Sequence, residues 1–532
     1  MKINPNRFWA IVILLGWAFD SLFWKKPGGI NFAVYMTLCL ATGILLLRAD
    51  GLRLPRRSGL LLLPISFLAI MTFLRLEPMT VFLSAAMTLF LMGVFAITYL
   101  DGRWMRYALL DYVFGYFRLF GSMIARPLGF AAEARNQPPL GEKRSAHVWP
   151  ILRGIVIALP VIAIFASLLS SADPIFAKRF EQFIELFNID NLPEYIFRLV
   201  YILIFAYALA GAFLHAAQSA DEKISEDKPL VSPFLGFTES TIVLGSVVIL
   251  FMAFVAIQFQ YFFGGQANIH IEGYTFSEYA RKGFGELVAV AFFSLLLLLG
   301  LGAITRRETE SQRRAFSGIG VGLVGLVIVM LVSAFQRLVL YEEAYGFSRL
   351  RTYTHVFMIW LALLLVVVVA LEMFRRERAV GLAMVSASLG FVISLGLLNV
   401  DAFIVKQNVQ REIRSVTDKT FSQGRVDLDA QYFLDLSDDA VPALVEAFQN
   451  KSLPDAVNEK VGAALVCKRY DRELNKRVIP WQSFHFSRFY ADHAFAQVKE
   501  ELDSYKITNT DWPVTVETPG REEFSCWQYY YD

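Results

Sequence analysis

The sequence predicts an all-α polytopic membrane bundle of about eleven transmembrane helices with a small, mostly helical C-terminal extramembrane domain. Three observations predict it. Of 532 residues, 56% are hydrophobic and only 18% are charged, with mean hydropathy +0.47; a soluble domain carries about 45–50% apolar and about 25% charged residues. The apolar residues are grouped in blocks of roughly 18–25, the length that crosses a bilayer core. From Asp401 onward the pattern changes: 16 Lys and Arg stand against 22 Asp and Glu, whereas the preceding chain has 34 against 26. A soluble enzyme, a disordered tail protein and a disulfide-dense secreted scaffold are excluded. No stretch has the basic density of a nucleic-acid footprint.

Hydropathy windows of about 19 residues give the first four spans at Phe8–Trp24, Ile30–Leu47, Gly59–Leu74 and Met79–Leu100. Ile151–Ser171, Ile196–Ala217, Phe237–Phe263 and Lys282–Ile304 follow. Phe316–Tyr341, Thr352–Phe374 and Ala379–Val400 complete the set. Lys2 and Arg7 give the first span the look of a signal peptide. It lacks a small-x-small cleavage site after Trp17 and is interrupted by Asp20, so it is read as retained.

Positive charge orients the bundle. The even-numbered loops hold 20 Lys and Arg and the odd-numbered loops eight. The even loops and the N-terminus are therefore expected in the cytoplasm, and an odd number of spans places the C-terminal domain outside. The reading divides the chain into a front four-span unit with a cytoplasmic interfacial helix (1–135), a linker (136–150), a seven-span core (151–404) and an acidic extramembrane domain (405–532). The interfacial helix rests on the basic and aromatic run from Arg103 to Arg126, suited to an anionic leaflet. In the domain, Leu434–Asn450 has helical spacing, with Ser437, Asp438 and Asp439 as cap candidates. Helices are also expected over Asp455–Asp471 and Ser487–Tyr505, and a strand pair within Trp512–Tyr531.

Cys467 and Cys526 both fall in the exported part, where an oxidising compartment permits a disulfide; two buried thiols are the alternative. Gly320, Gly322 and Gly325 spell a dinucleotide fingerprint, but inside an apolar span with no strand before it. Gly318 and Gly322 read instead as a small-xxx-small helix contact. His485 and His493 have no convergent ligand spacing, and no metal site, nucleophile motif or cofactor is expected.

The polar residues of the rear spans gather at one end. Gln260, Tyr261, Glu278, Tyr279, Arg281 and Glu286 flank one loop, Arg337, Tyr341, Tyr345, Arg349 and Arg351 flank the next, and Asn399 and Asp401 end the last span. Ionisable groups in spans are costly unless paired or set against water, so a Glu286–Arg337 ion pair is expected. This belt reads either as an outward binding vestibule or as a network seating the acidic domain on the bundle.

Several of these segments also carry a resemblance. They are Ser171–Phe176 (SADPIF), Gln260–Gly265 (QYFFGG), Tyr279–Phe284 (YARKGF), Ala344–Arg351 (AYGFSRLR), Asn399–Ile404 (NVDAFI) and Leu434–Leu444 (LDLSDDAVPAL). Over roughly Ile151–Leu444 the chain resembles a bacterial polytopic membrane family catalogued as domain-of-unknown-function family 4173, with a related family numbered 4153. The resemblance implies a bacterial inner-membrane protein and brings no activity and no catalytic residues.

Three functional readings follow. The leading one is a non-enzymatic membrane protein presenting an external domain for envelope sensing or assembly, with the lipid bilayer and an envelope protein as partners. The second is a small-solute transporter using the polar belt as its vestibule. The third is a membrane-embedded transferase on a lipid-linked substrate, which would want acidic residues in the first external loop; that loop offers only Asp20 nearby. No nucleic acid partner is expected, and the sequence identifies no small-molecule ligand.

Overall fold

The computed structural model describes residues 4–136, 158, 162, 165–185, 191–218, 233–263, 284–417, 428–474, 479–510 and 513–527. Among these, ten helices are long and apolar enough to cross a membrane. They are α1 (Pro5–Phe23), α2 (Ile30–Ala49), α3 (Arg56–Leu74) and α4 (Pro78–Ile97), then, after the amphipathic α5 (Leu109–Asn136) and α6 (Pro174–Glu185), α7 (Leu192–Gln218) and α8 (Phe237–Phe263). The rest are α9 (Phe284–Ile304), α10 (Glu310–Tyr345), α11 (Arg349–Met373) and α12 (Val380–Leu398). All ten coincide with expected spans to within a few residues. The expected span Ile151–Ser171 lies mostly outside the described residues.

The helix starts follow from local chemistry. Asn4 accepts the N–H of Asn6 at 2.9 Å and Pro5 opens α1, a position where a missing N–H costs nothing. Glu77 and Pro78 repeat the arrangement at α4. Thr309 and Gln312 form a reciprocal capping box at α10.

The chain forms two compact units: residues 1–24, 41–52 and 118–218, and residues 25–40, 53–117 and 219–532. In the first, Phe8, Val12 and Leu15 of α1 pack on Ala210, Phe213 and Leu214 of α7. The two helices are also pinned by polar groups: buried Asp20 accepts from Arg198 Nε at 2.9 Å and from the Tyr201 hydroxyl, and Trp24 Nε1 donates to Glu194 at 2.8 Å.

In the second unit α3 and α4 form a hairpin through the turn 75–77, and α12 packs on both. Helices α8, α9, α10 and α11 share a core of Leu244, Leu295, Leu323, Val327, Leu338 and Leu365. A correction to the expected glycine contact arises here. Among the described residues a Cβ at Gly318 or Gly322 would meet no neighbour, whereas one at Gly320 would stand 3.3 Å from Leu298 of α9.

The last span passes at Asn399, in the left-handed region at φ 52°, into the amphipathic α13 (Val400–Thr417). Asn is among the few side chains that tolerate this conformation. The C-terminal domain then contains α14 (Val441–Phe448), α15 (Asp455–Leu474) and α16 (Phe486–Gln497), with strands β1 (Lys506–Asn509), β2 (Thr515–Glu517) and β3 (Glu523–Ser525). The strands form one antiparallel sheet in the order β1-β2-β3. The helix expected over 434–450 is broken: residues 438–440 form a 3₁₀ turn, and α14 begins only at Val441. The expected strand pair is β2–β3. Strand β1 starts immediately after the region read as helix.

One apolar core runs without interruption from Leu395 of α12, through Val400, Ile404 and Val405 of α13, to Phe433, Leu444, Val461, Leu465 and Leu502. The domain therefore shares its core with the end of the last span. Cys467 of α15 and Cys526, next to β3, are brought together as a disulfide with Cα atoms 5.3 Å apart and a sequence separation of 59. Closing a loop of that size restricts the unfolded chain by about 2–4 kcal/mol. Replacing both cysteines with serine should lower the domain's stability by about that amount, read as an earlier urea midpoint for its protease release. An unchanged midpoint would count against a bridge in the native protein.

Candidate functional site

Three short turns at one end of the second unit meet the C-terminal domain, and the polar side chains concentrate where they do. The turn 75–77 has only three residues between Leu74 and Pro78, too few to satisfy its own backbone. Glu77 turns its carboxylate onto the N–H groups of Met79 and Thr80, at 2.8 and 2.7 Å. The N–H groups of Leu76 and Glu77 point the other way and donate to Asp439 Oδ2 at 2.6 and 2.9 Å. Asp439 comes from the C-terminal domain and is only 4% exposed. Its second oxygen accepts from the Ser487 hydroxyl, and Arg75 Nη1 approaches it to 4.0 Å. Ser437 sets the placement, since its Oγ accepts the Asp439 N–H at 3.3 Å and opens the 3₁₀ turn.

Asp401 is the second centre. It lies in the first turn of α13, fully buried, and takes a two-point guanidinium contact from Arg349, Nε at 2.7 Å and Nη2 at 2.6 Å. Such forked pairs add direction to charge. The same carboxylate accepts the N–H of Ser437 at 2.6 Å. Arg349 opens α11 with its own N–H on the Tyr432 hydroxyl at 2.9 Å, and one turn on, the Tyr353 hydroxyl donates to Glu77. Arg75 Nε donates to the Gly396 carbonyl at 2.9 Å, near the end of α12. The ends of α3, α4, α11, α12 and α13 are thus held to residues 432–439 by one connected set of hydrogen bonds.

The third contact is the turn 25–29. Ser483 Oγ donates to the Pro27 carbonyl at 2.8 Å, His485 Nε2 to the Gly28 carbonyl at 2.9 Å, and the Ile30 N–H to the Phe484 carbonyl at 3.1 Å. A Cβ on Gly29 would stand 2.7 Å from the Ser483 carbonyl carbon, so only glycine permits this backbone approach. Between these contacts is a cavity of about 290 Å³ lined by Arg75, Asn399, Asp438, Tyr490, His493 and Gln497 among others.

Burial dominates the electrostatics of the domain. Desolvation raises the Asp439 carboxyl above its usual range, opposed by the Ser487 and Leu76 hydrogen bonds. Desolvation lowers Lys468 to about 8; its ammonium donates to the Leu434 and Leu436 carbonyls. Burial also lowers His485 below 6.5, opposed by the Gly28 hydrogen bond and assisted by the Arg488 charge. A histidine held neutral in the seated state contributes fully above pH 6.5, and its contribution falls as acidification protonates the released state. Asp439 has the opposite sign, because its raised value favours the seated state as pH falls. Limited proteolysis between pH 7.5 and 5.5 should therefore show that His485→Gln removes a loss of seating on acidification. Superimposable profiles for the variant and the natural protein would refute the assignment.

The expected belt residues divide. Arg349, Asn399 and Asp401 converge on the joint. Arg351 lies beside it, its guanidinium 4.1 Å from the Tyr341 ring and bonded to the Gly346 carbonyl, with Tyr345 5.0 Å from Tyr341. Glu286 is exposed at the start of α9 and Arg337 half-buried on α10; among the described residues no ion pair joins them. Glu278, Tyr279 and Arg281, and the side chains of Gln260 and Tyr261, lie outside the described residues. Sequence reasoning missed Arg75, Glu77, Tyr353, Ser487 and the role of Asp439. The Glu77-Pro78 pair is a legible cap signal; a partner for Asp439 more than 360 residues away in sequence is not. Among the described residues no group of three or more His, Cys, Asp or Glu is placed to hold a metal ion.

The fold and this joint define a multi-pass helical membrane protein whose C-terminal domain is bonded to the ends of its spans. The chain belongs to the family described as Domain of unknown function (DUF4153), whose model matches residues 62–447. That is the family named above as the related one. The match begins in α3 and ends in α14, so it takes in Glu77, Arg349, Asp401 and Asp439 but not Ser487 or the disulfide. No curated protein and no solved structure matches the chain.

Proposed function

We propose that this is a bacterial inner-membrane protein that holds an external domain rigidly on its bundle, for envelope sensing or assembly, and that it acts without catalysis. The observation that carries the reading is Asp439: a buried carboxylate from the C-terminal domain satisfying two backbone N–H groups of a membrane-helix turn. A tethered cargo domain would not need such a group, since burying it is costly unless it is fully hydrogen-bonded.

Charge and parity support this orientation. The domain touches the first, third and ninth loops, which belong to the charge-poor set, so the positive-inside tendency favours an external face. Seven described spans separate the turn 75–77 from Asp401, yet Arg75 bonds Gly396 directly. Helix ends on one face need an even number of crossings between them, and the expected span Ile151–Ser171 would be the eighth. A Cys467–Cys526 bridge agrees with an oxidising compartment.

The test compares a gene deletion complemented with the whole chain, with a chain ending at residue 427, or with Asp439→Ala. Membrane insertion is checked for each, and envelope integrity is scored by detergent and cell-wall antibiotic sensitivity. The whole chain should complement and the two variants should not. Full complementation by an inserted, truncated chain would overturn the reading.

A transporter is the second reading, and one observation favours it. Within α10 and α11, Glu342 (1% exposed) lies 3.3 Å from His355 Nδ1, an ionisable pair in a span; such pairs often mark ion or proton paths. Uptake in proteoliposomes abolished by Glu342→Gln would support it. The transferase reading draws little support, since Asp20 is taken up by Arg198 and Tyr201.

A further inference from the structure

At the end of the second unit away from the joint, a second cavity of about 580 Å³ is lined by Arg103, Arg106, Arg376 and Arg378, with Tyr107 and Asp111. The arginines come from two segments some 270 residues apart. Arg103–Arg106 is a 3₁₀ turn following α4, and it is held in place: Trp104 Nε1 donates to the Arg57 carbonyl at 2.9 Å and the Tyr112 hydroxyl to the Trp104 carbonyl at 2.6 Å. The other segment leaves α11 through Arg375, in the left-handed region at φ 59°, with the N–H groups of Arg375 and Arg376 closing on the Glu372 and Leu371 carbonyls at 3.1 and 2.8 Å. The two meet tightly: a Cβ at Gly381 would stand 2.6 Å from the Tyr107 carbonyl oxygen.

The charge lining this cavity is predominantly basic among the described residues, with Arg103 partly balanced by Asp101, whose carboxylate accepts the Arg103 N–H at 2.9 Å. Asp111 is its only lining carboxylate among the described residues, and it is occupied with the Ala108 N–H at 2.9 Å. Arg375 pairs with Glu310, yet no ion pair involves Arg106, Arg376 or Arg378 among the described residues. Basic residues after a helix C-terminus complement its dipole, and basic loops orient spans. Either effect would explain the Arg376–Arg378 stretch on its own. Neither requires Arg103 and Arg106 to be brought rigidly onto the same cavity.

We propose that these four arginines form a binding site for a phosphate-bearing anion, carried either by an anionic lipid headgroup or by a soluble phosphate compound. Guanidinium forks match phosphate oxygens in pairs, and a cavity at the ends of three helices long and apolar enough to cross a bilayer is where a lipid headgroup would meet the protein. The site is independent of the joint and of the function proposed for it.

The test uses the full chain in neutral detergent, titrated with short-chain phosphatidylglycerol, with inorganic pyrophosphate, and with phosphatidylcholine of the same chain length. Intrinsic fluorescence or mass spectrometry under native conditions reads the binding. Phosphatidylglycerol should bind more tightly than phosphatidylcholine, and R106Q/R378Q should weaken it by about tenfold or more. R106K/R378K, which keeps the charge and loses the fork, should fall between. Phosphatidylglycerol binding that pyrophosphate cannot displace identifies a lipid headgroup; displacement identifies a soluble phosphate, and either supports the site. If R106Q/R378Q is poorly folded, the natural protein decides through salt, since the affinity must fall with ionic strength. No preference over phosphatidylcholine, or equal affinity in a folded R106Q/R378Q, would overturn the proposal.

Discussion

Asp439→Ala should release the C-terminal domain from the bundle while leaving the spans inserted. The substitution strips the acceptor from the N–H groups of Leu76 and Glu77, whereas the Ser487 hydroxyl keeps the Leu74 carbonyl at 2.9 Å. A buried donor left without a partner costs about 1–3 kcal/mol, so the two together should cost about 3 kcal/mol. That corresponds to a rise of about 100-fold in the released fraction, measured as protease liberation of the C-terminal fragment from native membranes. Asp439→Asn keeps one carbonyl acceptor and should lose less. Comparable proteolysis of Asp439→Ala and the natural protein would show that the carboxylate does not hold the joint.

Breaking the Arg349–Asp401 pair should have an effect of the same order. The Asp401 side chain is 0% exposed and that of Arg349 23%. Removing one member of a buried pair costs about 3–5 kcal/mol, and the partial exposure of Arg349 puts Asp401→Ala near the lower end. Arg349→Met should be the more harmful single change, because among the described residues it leaves the buried aspartate with the Ser437 N–H and the nearby Lys468 charge. The double variant Arg349→Met with Asp401→Leu removes both charges and should recover part of the loss, giving a coupling of about 1–3 kcal/mol in the cycle. Strict additivity would mean that the two act separately.

These two centres show what the sequence carries and what it conceals. The spans were legible because a bilayer demands long apolar runs whatever their neighbours are; all ten observed helices fall where hydropathy puts them. The domain's helices were legible where apolar periodicity persisted, as in Asp455–Leu474. Ser437, legible as a cap candidate, does cap, but it opens a 3₁₀ turn over 438–440 and not α14 itself, and Asp439 answers to a partner in the turn 75–77. Arg349 and Asp401 stood out as charges too near a span to be idle. Glu77, Arg75 and Ser487 did not, because their importance comes from a turn and a helix that only the fold brings together. Gly318 and Gly322 err in the other direction: a helix-packing motif is present, and the face that packs is that of Gly320.

Residues 437–439 sit on the turn 75–77, and the joint depends on that contact. The most direct measurement is an intramolecular cross-link in native membranes between cysteines placed at Leu76 and Ser437, made with a short bifunctional maleimide. The native background is low, since Cys39 is buried and Cys467 is joined to Cys526. A linked peptide joining the two positions is expected, greatly reduced when Asp439→Ala is added. Efficient single labelling of both cysteines without any linked peptide would contradict it.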